Sequence, residues 1–137
     1  MGTFFEEITL ENVVDRGMFN RGYIKEDKIR TLTVQAMPDT GAWTLVINEN
    51  AREKLGLTIE GETISSLADG KTASYPITES VKIMWKDRNI TLPAIVINEA
   101  VDILLGALPL EGMDLIVDPV RKQLRGAHGD QPLHVLY

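Results

Sequence analysis

The sequence predicts a small all-β domain of many short, mostly antiparallel strands with one or two short helices. Three observations lead there. The apolar pattern has a period of two, as from Thr31 to Met37, where Leu32, Val34 and Ala36 share one face. Turn-forming pairs such as Asp69-Gly70 and Asp118-Pro119 punctuate the apolar runs at short intervals. The 137 residues, 44% hydrophobic and 25% charged, suit a single globular domain spanning 1–137 that buries its core without staples.

The elements follow in chain order. Ile8 to Val14 reads as a strand, and Thr31 to Met37 as a second. Asp39-Thr40-Gly41-Ala42 is a tight turn, and the apolar run Trp43 to Ile47 after it reads as a buried strand. Asn48 caps a short helix that runs to Leu55 and stops at Gly56. Leu55 and Leu57 are core candidates. Ile64 to Leu67 and Thr72 to Ile77 flank Ala68-Asp69-Gly70-Lys71, a strong hairpin signal. Val81 to Trp85 and Asn89 to Ile97 form a second hairpin around Asp87-Arg88-Asn89. The stretch from Leu104 to Gly112 holds a helical turn or two despite Pro109. Leu115 to Val117 and Lys122 to Leu124 flank the turn at Asp118-Pro119. No internal repeat or low-complexity segment is present.

Composition narrows the function classes. There is no cysteine, so neither a disulfide framework nor a cysteine metal site exists, and a reducing, cytoplasmic setting is expected. No signal peptide is visible, and the longest apolar candidate, Val101 to Leu110, is broken by Asp102, Gly106 and Pro109. Neither a membrane nor a nucleic acid is an expected partner. The net charge is −6, and the small cluster Arg121, Lys122, Arg125 reads as a solvated strand end. His128, His134 and Asp130 lie in a loop with spacing too loose for a metal site, and no phosphate loop or nucleophile elbow is present.

The chemistry-bearing feature is Asp39-Thr40-Gly41-Ala42. An isolated Asp at a turn usually accepts hydrogen bonds from backbone N–H groups one or two residues on. Here its companions matter. Ala42 allows close backbone packing, and Leu104-Leu105-Gly106-Ala107 lies some sixty residues downstream. Thr9-Leu10, Asn12, Asp15 and Gly22 precede the turn. Leu55-Gly56-Leu57, Ala68-Asp69-Gly70, Leu110 to Leu115 and Val117-Asp118-Pro119 follow in order. As an ordered set these pieces resemble the retropepsin-like (retroviral-type) aspartic proteases, over most of the chain from Ile8 to Tyr137.

That resemblance implies a small closed β-barrel and a homodimeric aspartic endopeptidase acting on extended peptides without metal or cofactor. Asp39 would be the catalytic carboxylate, one from each chain. Thr40 would tie the two catalytic turns together, and Gly41, with Ala42 beside it, would admit substrate backbone. The hairpin from about Ser65 to Tyr75, with Ala68, Asp69, Gly70 and Lys71 at its tip, would be a flap over the peptide. Leu104, Leu105 and Gly106 would pass beneath the catalytic turn.

The sequence departs from the family pattern at Pro38, where a branched apolar residue is usual; a proline there would displace the turn. It departs again at Trp43 and Thr44, where many viral enzymes carry acids that hold substrate backbone. The flap tip is also poorer in glycine. These departures suit an alternative, a catalytically inactive dimerisation or peptide-binding module of the same fold. The apolar ends Thr3-Phe4-Phe5 and Leu133 to Tyr137 are expected to meet either a partner chain or the chain's own barrel.

Overall fold

The structure, a computed structural model, describes residues 3–66, 69–98, 102–130 and 133. Its elements are β1 (Glu6–Asn12), α1 (Val13–Asn20), a 3-10 turn (Glu26–Lys28), β2 (Thr31–Pro38), β3 (Leu45–Ile47), α2 (Glu49–Leu55), β4 (Ile59–Ser66), β5 (Thr72–Trp85), β6 (Arg88–Val96), β7 (Ile103–Leu105), α3 (Ala107–Gly112), β8 (Leu115–Asp118) and β9 (Gln123–Gly126).

Six strands close a barrel in the order β1-β2-β7-β3-β6-β5, with β5 pairing back onto β1. β4 adds to β5 outside the ring, and β8–β9 is a separate hairpin. The fold is a small closed all-β barrel, as the resemblance implies. Its interior is filled by Leu10, Leu45, Ile47, Leu55, Ile83 and Leu105, all fully buried. Closing the sheet removes the unpaired edges that a flat set of short strands would expose.

The sheet is less uniformly antiparallel than the alternation suggests. β7 runs parallel to β2, and β3 runs parallel to β6. Each exception comes from a strand inserted between two that are consecutive in sequence: β3 lies between β6 and β7, parallel to β6 and antiparallel to β7. β2 and β3 are adjacent in sequence yet do not pair; β7 inserts between them, parallel to one and antiparallel to the other. The turn that joins β2 to β3 therefore straddles a third strand.

Local signals account for most boundaries. The Asn48 side chain accepts the Ala51 N–H at 2.9 Å, and Gly56 ends α2 at φ 65°, a left-handed conformation that favours glycine. β5 merges two expected strands into one of 14 residues. Its first half pairs with β4 and its second with β6 and β1, and a register shift between Ile77 and Ser80 separates the two.

Several expectations need correction. α1 was unexpected: Val13 and Val14 continue an alternating apolar pattern, but the strand ends at Asn12. The Asn12 side chain caps α1 by accepting the Asp15 N–H at 2.9 Å and donates to the Leu55 carbonyl at 2.7 Å. β3 begins at Leu45, so Trp43 and Thr44 belong to the turn region. Arg88 is not in the turn; Lys86 and Asp87 make it, with Lys86 at φ 51°. Arg88 is instead a buried member of β6 whose Nη1 donates to the carbonyls of Met113 and Asp114. At the β8–β9 turn, the Asp118 carboxylate accepts the N–H groups of Val120 and Arg121, both at 3.1 Å. Arg121, Lys122 and Arg125 are exposed there, as expected of a solvated strand end.

Among the described residues, no helix is long and apolar enough to cross a membrane. Phe4 folds back against the barrel core. Leu133 is exposed, and residues 134–137 lie outside the described residues.

Candidate active site

The site is built from the β2–β3 connection. The Asp39 N–H donates to the Leu105 carbonyl at 2.9 Å, and the Ala42 N–H closes the turn onto the Asp39 carbonyl at 3.1 Å. Pro38 is the last residue of β2 and pairs with Leu105. The ladder bond that locates the turn is made by the Asp39 N–H, one residue later, so the turn keeps its backbone bond to β7 although Pro38 has no N–H.

Asp39 Oδ1 accepts the Gly41 N–H at 2.9 Å. A Cβ on Gly41 would stand 3.1 Å from that oxygen, so glycine lets the backbone approach the carboxylate closely. Asp39 is half-buried, while Thr40 and Gly41 are exposed.

β7 supports the turn from below. Leu104 and Leu105 fill the slot between β2 and β3, and Gly106 begins α3. The N–H groups of Ala107 and Leu108 donate to the carbonyls of Ala42 and Trp43 at 2.7 and 2.9 Å. A Cβ on Gly106 would lie 2.3 Å from the Thr44 carbonyl oxygen and 2.6 Å from that of Ala42. No side chain fits there, so glycine is required by space rather than by dihedral angle. Thr44 is fully buried and donates through Oγ1 to the Pro93 carbonyl at 2.8 Å, riveting the turn to β6.

A groove of about 500 Å³ opens over the turn. Asp39, Gly41, Ala42 and Leu104 form its floor, with Trp43 beside them. The β4–β5 hairpin stands against it through Ile64, Ser65, Ser66 and Tyr75. A second cavity of about 560 Å³ opens beyond the turn, lined by Thr40, Ala107, Glu111 and Ile116 as well as Asp39. Asp39 thus contributes to the lining of both concavities.

The structure brings Asp39, Thr40, Gly41 and Ala42 together with Leu104, Leu105 and Gly106. The hairpin tip behaves differently. Lys71 N–H donates to Asp69 Oδ1 at 3.0 Å and Gly70 adopts φ 82°, so the tip is a side-chain-braced turn. Ala68 lies outside the described residues. Asp69, Gly70 and Lys71 are exposed and do not line the groove; the strands behind the tip do. Val46, Ile64, Ile95 and Ile97 are the groove residues that sequence reasoning missed. The alternation of β4 carries the available signal, because Ile64 is an apolar residue on its exposed face.

His128 lies away from the groove. Its Nδ1 meets both Asp114 carboxylate oxygens at 2.9 Å. Asp114 is held below the usual carboxylate range, first by the Leu133 N–H, then by His128 and the Arg88 charge. His134 is outside the described residues. Among the described residues no cluster of three or more metal-ligating side chains occurs.

A family model described as Aspartyl protease matches residues 24–107. The match runs from ahead of β2 to the start of α3, taking in the Asp39 turn, the β4–β5 hairpin and β7. No curated protein matches the chain. The match covers more than half of the sequence and the fold is the corresponding barrel, so the chain belongs to the aspartyl protease family of the retropepsin-like clan.

Proposed function

We propose that the chain is one half of a homodimeric aspartic endopeptidase. A single observation carries this reading. A carboxylate is pinned through one oxygen on a turn straddling β7, at the floor of an open groove, and the chain has one copy of that turn. A second Asp39 would come from a second copy across a two-fold axis beside the turn.

The chemistry follows from the pair. Two carboxylates within hydrogen-bond reach cannot both ionise easily, so they share one proton and titrate as a unit. The ionised member takes a proton from a water, whose oxygen attacks the scissile carbonyl carbon. The protonated member donates to the carbonyl oxygen as it becomes a hydroxyl. Collapse of that diol transfers a proton to the leaving amine and breaks the C–N bond. Thr40, exposed at the turn, would bond across the two-fold axis. The hairpin from about Ser65 to Tyr75 would act as the flap that orders the peptide and excludes water. The peptide would lie extended along the groove, adding strand-like hydrogen bonds.

The test compares wild type with Asp39→Asn on a peptide library from about pH 4 to 7. The expected result is a loss of cleavage on the order of 10³-fold. Equal cleavage by both proteins would sink the proposal. A wild-type dimer that binds peptides without cutting them would favour the inactive module.

A further inference from the structure

The Asp39 turn does not rest on β7 alone. The N–H groups of Ala107 and Leu108, at the start of α3, donate to the carbonyls of Ala42 and Trp43 at 2.7 and 2.9 Å. Part of the turn's support therefore comes from α3. A helix of six residues cannot hold its shape unaided in water, so its position is set by what grips its two ends. The far end is gripped by Arg88. Its side chain is 3% exposed, and Nη1 donates to the Met113 and Asp114 carbonyls at 3.0 and 2.8 Å. Carbonyls at a helix C-terminus lack partners within the helix, and a cation suits them. Ile90, also on β6, packs under the same end; a Cβ on Gly112 would stand 1.9 Å from Ile90 Cδ1. Arg88 Nη2 donates to the Gly129 carbonyl, which gathers the C-terminal segment to the same point. The Asp114 carboxylate lies 3.9 Å from Nη1 and balances the buried charge.

We propose that Arg88 is a positioning residue for the Asp39 site. By clamping the far end of α3 to β6, it fixes the two N–H groups that hold the catalytic turn. A buried guanidinium gives up its hydration, and an apolar side chain of similar length would fill the space without that cost. What the apolar side chain lacks is the donors that seize the end of α3. The proposal rests on the peptidase reading for its effect on cleavage, but not for its effect on the turn.

Arg88→Met keeps most of the volume and removes the donors, whereas Arg88→Lys keeps the charge and a donor. Amide hydrogen exchange reads the turn without turnover. In Arg88→Met, the Ala107 and Leu108 amides should lose on the order of tenfold more protection than the β1–β2 amides, which report opening of the barrel as a whole. Arg88→Lys should restore most of that protection. In the same Arg88→Met protein kcat should fall on the order of tenfold or more, with KM within about twofold of wild type. His128→Ala takes a partner from the Asp114 carboxylate and leaves the α3 carbonyls bonded to Arg88, so it should change neither reading. Equal loss of protection throughout the barrel, an unchanged kcat in a cleaving protein, or the same effects from His128→Ala would overturn the proposal.

Should Arg88→Met not fold, the wild type decides. In native-state exchange at low urea, the Ala107 and Leu108 amides should open together with those of Met113 and Asp114 at the other end of α3. Separate opening of the two ends would overturn the clamp. The two readings also fail separately. Selective loss of protection in a protein whose wild type cuts nothing would retain the clamp and remove the peptidase. Asp39-dependent cleavage with a kcat untouched by Arg88→Met would do the reverse.

Discussion

At the scale of single residues, the site depends on two positions that carry no chemistry. Gly106 makes space for two carbonyls, and Thr44 ties the turn to β6. Gly106→Ala would drive a methyl group into the Thr44 and Ala42 carbonyl oxygens, which are backbone atoms and cannot swing away. The expected cost is about 3 kcal/mol, near the upper end for overpacking, read as a lower urea midpoint. The matched control is Gly61→Ala, whose new Cβ would meet only Ile77 Cγ2 at an ordinary 3.7 Å. A Gly106→Ala protein as stable as that control would show that the turn does not rest on this close approach. Gly106 was legible in the sequence because a glycine after two leucines, ahead of a short helix, marks a bend where backbones pack closely. Thr44 was not. Its position suggested only a lost acid, since the bond to Pro93 joins residues 49 apart in the chain.

At the scale of elements, legibility followed locality. α2 was readable because its start signal, Asn48, and its stop, Gly56, lie at the two ends of the segment they delimit. α1 hid behind Val13 and Val14, whose β-branched side chains favour strand. The missed signal was Asn12 three residues ahead of Asp15, a cap with an acid in the first turn. Arg88 looked like turn chemistry because its partners, Met113 and Asp114, are 25 and 26 residues away. The α1 junction also has a measurable pH signature. Buried Asp15 accepts from the Arg30 backbone N–H at 3.0 Å and from its guanidinium Nε and Nη2 at 2.8 and 2.9 Å. The guanidinium bond outweighs the opposing effect of burial and holds the Asp15 carboxyl below its usual value. A carboxylate depressed in the folded state adds stability above its unfolded value of about 3.9, and that stability is lost as pH falls through the lower folded value. Wild type should therefore exceed Asp15→Asn in urea midpoint at neutral pH, and the gap should close below about pH 4. A gap that stays constant down to about pH 2 would assign the effect to packing instead.

At the scale of the whole molecule, the barrel topology bears on the proposal that the Asp39 turn is half of a site. β7 lies between β2 and β3, so each chain presents one Asp39 turn at the rim of one closed ring. The same arrangement recurs once, since β6 and β7 are consecutive and β3 lies between them, but the sequence Asp-Thr-Gly occurs in the chain only at Asp39. The second cavity, lined by Thr40, Ala107, Glu111 and Ile116, shares only Asp39 with the groove among the described lining residues. A mixing experiment decides whether both copies are needed. Wild type and Asp39→Asn are combined in equal amounts, exchanged by unfolding and refolding together, and assayed at fixed total concentration. Random pairing leaves about a quarter of the dimers with two Asp39 residues, so activity should fall to about a quarter of that of pure wild type. Chains that act alone would retain about half, because each wild-type copy would work whatever its neighbour. A result near one half would remove the shared-proton pair while leaving the fold and family untouched. A result near one quarter requires a site made jointly, since no property of a single barrel varies as the square of the wild-type fraction.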